Sequence, residues 1–352
     1  MLYGIILAGG YGERFWPKSQ PDTPKQLLSI TSKKTLLEET LDRIADLIPR
    51  ERILIVTNRT IGDKILSATP ALTMNNIIAE PMRKNTAPAI ALATLYLKNK
   101  DKEAVMAVLP ADHFIPDKER FLKILSIAYE VAKEKKDLVT FGIKPTRPET
   151  GYGYIEVGKK VATQNGISTY EVISFREKPD LNTAKEFLAK GNYLWNSGMF
   201  IWHIQTILDA FSNLMPDLYS KLMKVENDLK VEEFYQGVEN ISIDFGIMEK
   251  AKNILMIEGD FIWDDVGSWR ALERIYSQDE NKNVILGNHI GIDTQNCIVM
   301  AEEKLVATIG ISDLIVVSTK EATFICPKQR AEEVKKIVEK LKNGGKLCQK
   351  DV

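Results

Sequence analysis

Short apolar runs alternate with amphipathic stretches along the first 145 residues of the chain. The apolar runs are rich in β-branched residues and predict four buried strands, Gly4–Ala8, Arg52–Thr57, Val105–Leu109 and Leu138–Gly142. Between these runs, apolar residues recur at the spacing of a helix face. Strands that are apolar on both faces and separated by helices indicate an α/β fold, doubly wound, with a mostly parallel sheet covered on both sides.

The pattern changes twice after this region. The middle of the chain, residues 146–275, holds a predicted strand around Tyr170–Phe175, an aromatic-rich run Tyr193–Trp202 and a predicted helix Ser242–Lys252. We interpret these segments as insertions built onto the same sheet.

Beyond Ser277, short runs of Ile and Val are broken by Gly, Asn and Asp as far as Pro327, and an amphipathic helix is predicted over 329–342. This texture predicts a small C-terminal β domain. We therefore expect two domains, residues 1–276 and 277–352.

Composition and charge exclude several classes of protein. The chain has 352 residues with 47 Lys and Arg against 48 Asp and Glu, a formal net charge of -1. This balance gives no electrostatic reason to expect a nucleic-acid or membrane partner. No apolar window reaches the ~20 residues of a membrane span, and the N-terminus lacks the features of a secretion signal, so a cytoplasmic protein is expected.

A glycine-rich turn follows the first predicted strand, with Gly9, Gly10 and Gly12 ahead of two cations, Arg14 and Lys25. The glycines alone fit an ordinary tight turn between a strand and a helix, and neither the P-loop nor the dinucleotide fingerprint is complete. Backbone N–H groups flanked by two cations are typical of a polyphosphate site. The two cations therefore favour phosphate binding over the ordinary turn.

Several spaced motifs make the chain resemble the sugar-1-phosphate nucleotidylyltransferase family, and within it the bacterial mannose-1-phosphate guanylyltransferases. The motifs are Gly9–Pro17, Pro24–Lys25, Glu80–Pro81, Asn85–Ala89, Leu109–His113, Phe175–Pro179, Asn196–Phe200, Ser242–Glu249 and Trp263–Trp269. The resemblance implies a Rossmann-like nucleotidyltransferase sheet and a short left-handed β-helix-like C-terminal domain. It also implies Mg²⁺-dependent transfer of GMP from GTP to mannose 1-phosphate, giving GDP-mannose and pyrophosphate. Only three histidines are present, which argues against the isomerase domain of some relatives.

The same resemblance assigns the nucleotide side of the site. The backbone of Leu7, Ala8, Gly9, Gly10 and Gly12 would meet the triphosphate. Arg14 would face the leaving β and γ groups and Lys25 the α-phosphate.

Glu80 would read guanine, because a carboxylate can accept hydrogen bonds from both N1–H and the exocyclic amine. Asn85, Thr86 and Ala87 would add nucleotide contacts, with helix capping as the open alternative.

The resemblance likewise assigns the metal and the sugar phosphate. Asp112 and Asp265 would hold Mg²⁺, with Asp264 competing for the second position. Glu177 would bind mannose hydroxyls and Lys178 the 1-phosphate, while Asn196 and the backbone at Gly151 would complete the pocket. A solvated charged pair is the alternative for Glu177 and Lys178.

Other functions stay open at this stage. One is a catalytically silent, GDP-mannose-sensing regulatory subunit, and another is a nucleotidylyltransferase for a different sugar 1-phosphate. A glycosyltransferase is a third, although the glycine turn has no purpose in it. The apolar C-terminal β segment suggests a homodimer.

Overall fold

The computed structural model describes residues 1–20, 23–225 and 228–344. The strands are β1 (Leu2–Leu7), β2 (Ile53–Asn58), β3 (Ile77–Glu80), β4 (Val105–Pro110), β5 (Leu138–Ile143), β6 (Tyr154–Gln164), β7 (Ile167–Arg176), β8 (Tyr193–His203), β9 (Ile254–Gly259), β10 (Val284–Ile292), β11 (Ile298–Ile309), β12 (Leu314–Ser318) and β13 (Thr323–Pro327). The α-helices are α1 (Leu36–Ile44), α2 (Arg59–Ala68), α3 (Thr86–Lys100), α4 (Lys118–Lys135), α5 (Leu181–Lys190), α6 (Ile204–Leu214), α7 (Pro216–Leu222), α8 (Asp228–Gly237), α9 (Leu272–Ile275) and α10 (Val334–Lys342). Among the described residues, no helix combines the length and the apolar character needed to cross a bilayer.

The chain divides into two compact units, each made of three separate segments of the sequence. The first consists of Met1–Gly9, Thr40–Ala111 and Ile115–Trp263. The second consists of Gly10–Glu39, Asp112–Phe114 and the chain from Asp264 onwards.

The first unit is built on a nine-stranded sheet in the order β3-β2-β1-β4-β8-β5-β9-β7-β6. The strands from β3 to β4 are parallel, as are β5 and β9, whereas β8, β7 and β6 pair antiparallel with their neighbours. All six residues of β5 are buried, as expected for a strand covered on both faces. The α/β prediction is confirmed, and so is the placement of the middle segments on the same sheet. The sheet is mixed, however, and not mostly parallel as predicted, because β8, β7 and β6 run antiparallel to their neighbours.

The second unit contains a four-stranded sheet in which β10, β11 and β12 are parallel and β13 is antiparallel. Its core includes the fully buried side chains of Phe15, Trp269, Ile298 and Ile315. Segments from the N-terminal and C-terminal parts of the sequence therefore share one core. The predicted small β domain is confirmed.

One predicted helix is only partly helical in the structure. Within Ser242–Lys252, the helical residues are Ile243 and the π-helical turn Asp244–Met248. Ser242 accepts a hydrogen bond through its hydroxyl from Phe245 N at 3.3 Å, and Gly246 lies at the centre of the turn. The Ser242 hydrogen bond is of the kind that starts a helix, whereas the central glycine disfavours a longer α-helix.

Candidate active site

In the first unit, Leu7 and Ala8 lie at the end of β1, and Gly9, which follows them, lies beside Glu80, the last residue of β3. The backbone of Ala8 is fixed to β2, where its N–H donates to the Val56 carbonyl at 2.9 Å. A Cβ on Gly9 would lie 3.5 Å from Oε2 of Glu80. Because β1 and β3 both flank β2, the carboxyl ends of these parallel strands meet at one edge of the sheet.

Glu80 is buried, and its Oε1 accepts a hydrogen bond from the hydroxyl of Tyr235 at 2.9 Å. Burial raises the pKa of Glu80 to about 7, while the Tyr235 hydrogen bond and the charge of Arg83 act in the opposite direction. Sequence reasoning missed Tyr235, which lies 155 residues along the chain from its partner.

Asn85, Thr86 and Ala87 form the start of α3, and each has a structural role there. Asn85 adopts a left-handed φ of 68° and its side chain accepts from Thr86 N at 2.9 Å, as the helix cap. The hydroxyl of Thr86 accepts from Ile243 N at 2.8 Å, and Ala87 N donates to the Ile241 carbonyl at 3.2 Å. Capping is thus observed, and a nucleotide contact stays a prediction.

On the predicted sugar side, Glu177 and Lys178 form an ion pair in which Oε1 lies 2.8 Å from Nζ. The two side chains differ in burial, at 8% exposed for Glu177 and 60% for Lys178. Oε2 of Glu177 is buried and, within the part of the chain that the structure describes, has no hydrogen-bond partner. A buried carboxylate oxygen without a donor is costly unless a ligand supplies one.

Asn196 holds a network around this carboxylate. Its Nδ2 donates to Asp244 Oδ1 at 3.0 Å, its Oδ1 accepts from the Thr140 hydroxyl at 3.2 Å, and its N–H donates to the Gly153 carbonyl at 2.8 Å. Burial raises the pKa of Asp244, and the nearby charge of Glu177 raises it further. Asp244 was not assigned from the sequence, although it lies within the Ser242–Glu249 motif.

Gly151 and Gly153 occupy different positions in this region. The N–H of Gly151 donates to Glu149 Oε1 at 3.1 Å, so that amide is engaged within its own turn. A Cβ on Gly153, by contrast, would lie 2.4 Å from Glu177 Oε2. The position of the Glu177 carboxylate therefore leaves no space for a side chain at residue 153. Gly153 was not assigned on its own from the sequence.

In the second unit, the glycine turn packs on Lys25. Gly12 has a left-handed φ of 69°, and a Cβ there would lie 2.3 Å from Cβ of Lys25. Only glycine fits this position. A Cβ on Gly10 would meet no atom within 4 Å, so the space beside that residue is open.

Lys25 is the centre of the charged cluster in this unit. Its Nζ lies 2.7 Å from Asp112 Oδ2 and 2.8 Å from the main-chain carbonyl of Asp265, and the side chain is 10% exposed. Burial opposes ionisation of Asp112, but the charges of Lys25 and the buried His113 outweigh it and lower the pKa of that carboxyl. The structure thus keeps an ionised carboxylate and a buried ammonium in contact.

Arg14 points toward the C-terminal segment of the same unit. Its Nε lies 2.6 Å from Oε2 of Glu332, and Nη1 donates to the Gly267 carbonyl at 3.4 Å. The Arg14 side chain as a whole is 40% exposed, although its Nε is buried.

The two adjacent aspartates have different partners. Asp264 is buried, forms an ion pair with Arg274 and accepts from Val266 N at 2.8 Å. Asp265 Oδ1 accepts from Gly267 N at 3.1 Å. A carboxylate already neutralised by a guanidinium is a poor cation ligand, which argues against Asp264 as the second metal ligand.

The donor set fits Mg²⁺ in its chemistry, since Asp112 and Asp265 both carry carboxylate oxygens and both contact the Lys25 ammonium, Asp112 through its carboxylate and Asp265 through its main-chain carbonyl. Among the residues that the structure describes, no group of three or more His, Cys, Asp or Glu side chains could hold a metal. Mg²⁺ commonly takes one or two carboxylates and completes its shell with phosphate oxygens and water. A site with two aspartates therefore fits Mg²⁺, which does not need a coordination shell made only of protein ligands.

Known proteins are similar to this chain over almost its whole length. The family model described as "Nucleotidyl transferase" matches residues 3–282, and the "MannoseP isomerase/GMP-like beta-helix domain" matches residues 287–341. The mannose-1-phosphate guanylyltransferase of Escherichia coli strain K12 is 39% identical over 357 residues, 98% of this chain and 74% of that protein. A Klebsiella pneumoniae protein of the same name is 38% identical, over 97% of this chain and 74% of that protein.

A solved structure agrees with these matches. A Thermus thermophilus protein described as a mannose-1-phosphate geranyltransferase has a TM-score of 0.89 and 38% identity, over 97% of this chain and 99% of that chain.

Proposed function

The chain belongs to the nucleotidyl transferase family and, within it, to the mannose-1-phosphate guanylyltransferases, and from this premise we propose that it transfers GMP from GTP to mannose 1-phosphate. The products are GDP-mannose and pyrophosphate. The observation that carries the proposal is the 2.7 Å contact of the buried Lys25 ammonium with the half-buried carboxylate of Asp112, beside a glycine turn that leaves no space for a side chain at Gly12.

The reaction requires a phosphate oxygen of the sugar phosphate to attack the α-phosphorus while the bond to the leaving pyrophosphate breaks in line. This nucleophile is already anionic at neutral pH, so no side chain need remove a proton. Catalysis then consists of positioning and of neutralising charge. Because the reaction needs no general base, a cluster of lysine, arginine and aspartate side chains is sufficient for it.

Each cation has a proposed task. Lys25 neutralises the α-phosphate, and Arg14 the departing β and γ groups, with Glu332 as its partner before the nucleotide binds. The amides of Gly9, Gly10 and Gly12 donate to phosphate oxygens. Asp112 and Asp265 hold Mg²⁺, which when bound neutralises triphosphate charge.

The sugar phosphate is proposed to bind at Glu177 and Lys178, with Asn196 and the Gly151 backbone completing the pocket. The unsatisfied Oε2 of Glu177 supports this, because a mannose hydroxyl would supply the missing donor. Cytoplasmic location, a homodimer and a domain boundary after residue 276 remain predictions.

The test of the activity is a panel of nucleotides and sugar 1-phosphates assayed for pyrophosphate release with Mg²⁺. We expect GTP with mannose 1-phosphate to give the highest kcat/KM. Release from glucose 1-phosphate instead would indicate a nucleotidylyltransferase for another sugar. Binding of GDP-mannose without pyrophosphate release from any pair would indicate a regulatory subunit.

The test of the mechanism is Lys25→Ala, with Lys33→Ala as a control at an exposed lysine of the same segment. We expect Lys25→Ala to lower kcat at least about a hundredfold, with a much smaller rise in KM for GTP, since its charge is needed mainly in the transition state. Turnover close to that of the unmodified protein would exclude the proposed role.

A further inference from the structure

The hydroxyl of Tyr235 contacts Glu80 from a helix far away in the sequence. Tyr235 lies on α8, is fully buried, and donates to Glu80 Oε1 at 2.9 Å. Glu80 is itself only 8% exposed. A buried tyrosine hydroxyl normally finds a hydrogen-bond partner, and here that partner is the residue proposed to recognise the base.

The contact leaves the second carboxylate oxygen available. With Oε1 bound to Tyr235, Oε2 lies toward Gly9, 3.5 Å from where a Cβ would stand. An ionised carboxylate has about four acceptor positions on its two oxygens, so one hydrogen bond from Tyr235 leaves about three, enough for the two donors of guanine.

The protonation state of this carboxyl decides which purine it can pair with. Guanine presents two donors, N1–H and the 2-amino group, which an ionised, acceptor-only carboxylate can satisfy. Adenine presents an amino donor beside the N1 acceptor, which suits a protonated carboxyl instead. A fixed hydroxyl donor next to Glu80 therefore favours guanine.

We propose that Tyr235 is a positioning residue that fixes Oε1 of Glu80 and favours the ionised, acceptor-only carboxylate over the protonated one for reading guanine, an inference that rests on the proposed function. Two groups stabilise the ionised carboxylate, the hydroxyl of Tyr235 on α8 and the charge of Arg83 after β3, and both lower the pKa of Glu80 against the effect of burial. Loss of the hydroxyl leaves Arg83 alone to oppose that effect.

The experiment compares Tyr235→Phe with Glu80→Gln and with the unmodified protein, using GTP and ATP from pH 5.5 to 9. Tyr235→Phe is expected to lower kcat/KM for GTP about tenfold at pH 7 and to reduce the GTP to ATP ratio. The acid limb of the GTP profile should move to higher pH, which a purely structural role would not cause. Tyr219→Phe is the matched control, since the Tyr219 hydroxyl has no hydrogen bond within the described segments.

A second variant covers the case in which Tyr235→Phe is unstable. Site-specific 3-fluorotyrosine at position 235 keeps the shape and donates more strongly, so the acid limb should move to lower pH. Unchanged ratios and pH profiles in both variants, with the preference for guanine lost in Glu80→Gln, would overturn the inference and leave the proposed function standing.

Calorimetric binding of GTP and ATP to the same variants tests Tyr235 without turnover. A preference for GTP that depends on Tyr235, in a protein that releases no pyrophosphate, would support the inference while the proposed function fails. A preference that survives Glu80→Gln would overturn the reading of guanine by Glu80 and the inference with it.

Discussion

Replacing Glu80 by Gln is expected to stabilise the protein at neutral and alkaline pH. Burial raises the pKa of this carboxyl from an ordinary 4.5 to about 7. The difference corresponds to about 3 kcal/mol between the two protonation states. Gln is always neutral, is similar in shape, and its carbonyl oxygen can still accept the hydrogen bond from Tyr235.

The direction of the pH dependence of the free energy of unfolding follows from whether the folded or the unfolded protein binds the proton more tightly. Between pH 4.5 and about 7 the folded protein holds a proton on Glu80 that the unfolded chain has released. The unmodified protein therefore loses stability as pH rises through this window, and the loss is complete above it. The advantage of Glu80→Gln should grow by about 2.5 kcal/mol from pH 5 to pH 8.

The assay is guanidinium unfolding of both proteins without ligand, followed by tryptophan fluorescence at intervals between pH 5 and 8.5. Other titrating groups such as Asp244 are present in both proteins, so their effects cancel in the difference. Glu186→Gln, at an exposed position on α5, serves as the control and should give a difference independent of pH. Stability curves for Glu80→Gln and the unmodified protein that run parallel to within about 0.5 kcal/mol would refute the reasoning.

Two further predictions concern the neighbourhoods of the sugar and metal residues. Gly153→Ala places a Cβ 2.4 Å from Glu177 Oε2, so we expect KM for mannose 1-phosphate to rise about tenfold in steady-state assays while KM for GTP stays constant. Gly237→Ala, where the nearest side-chain atom is 3.4 Å away, is the control, and equal effects of the two would contradict the steric account. Asp264→Asn should lower the free energy of unfolding by about 2 kcal/mol because it leaves a guanidinium without its partner. Asp265→Asn should instead raise the Mg²⁺ concentration for half-maximal activity, and a reversal of the two results would make Asp264 the ligand.

The strands that could be predicted from the sequence are those buried on both faces of the sheet. Val105–Leu109 was predicted as a strand and is observed as Val105–Pro110, because an apolar run without polar alternation has few other places in an α/β protein. The strand order was not predictable. β8 inserts antiparallel between β4 and β5, and its own residues are mostly buried, so no local period in Tyr193–His203 distinguishes its neighbours.

The residues of the candidate site likewise fall into those that the sequence predicts and those that it does not. Gly12 and Lys25 were recognised together, and their contact has a local cause, since a left-handed glycine in a turn allows the close approach of a lysine thirteen residues later. Tyr235 and Asp244 carried no comparable signal. Their roles depend on hydrogen bonds to Glu80 and Asn196, which arise only when distant elements pack.

The adjacent aspartates show why residue type and spacing alone cannot predict the role of a side chain. Asp264 and Asp265 are identical and consecutive, so any motif that contains one contains the other. Their different roles depend on partners elsewhere: Arg274, ten residues later, neutralises the buried carboxylate of Asp264, whereas the main-chain carbonyl of Asp265 receives Lys25 from 240 residues earlier. A buried charge is tolerated only where it is paired, so the guanidinium that makes Asp264 structural also removes it from competition for a cation. The position of a single arginine therefore separates the two aspartates, and it is the reason for proposing Asp265 and not Asp264 as the metal ligand.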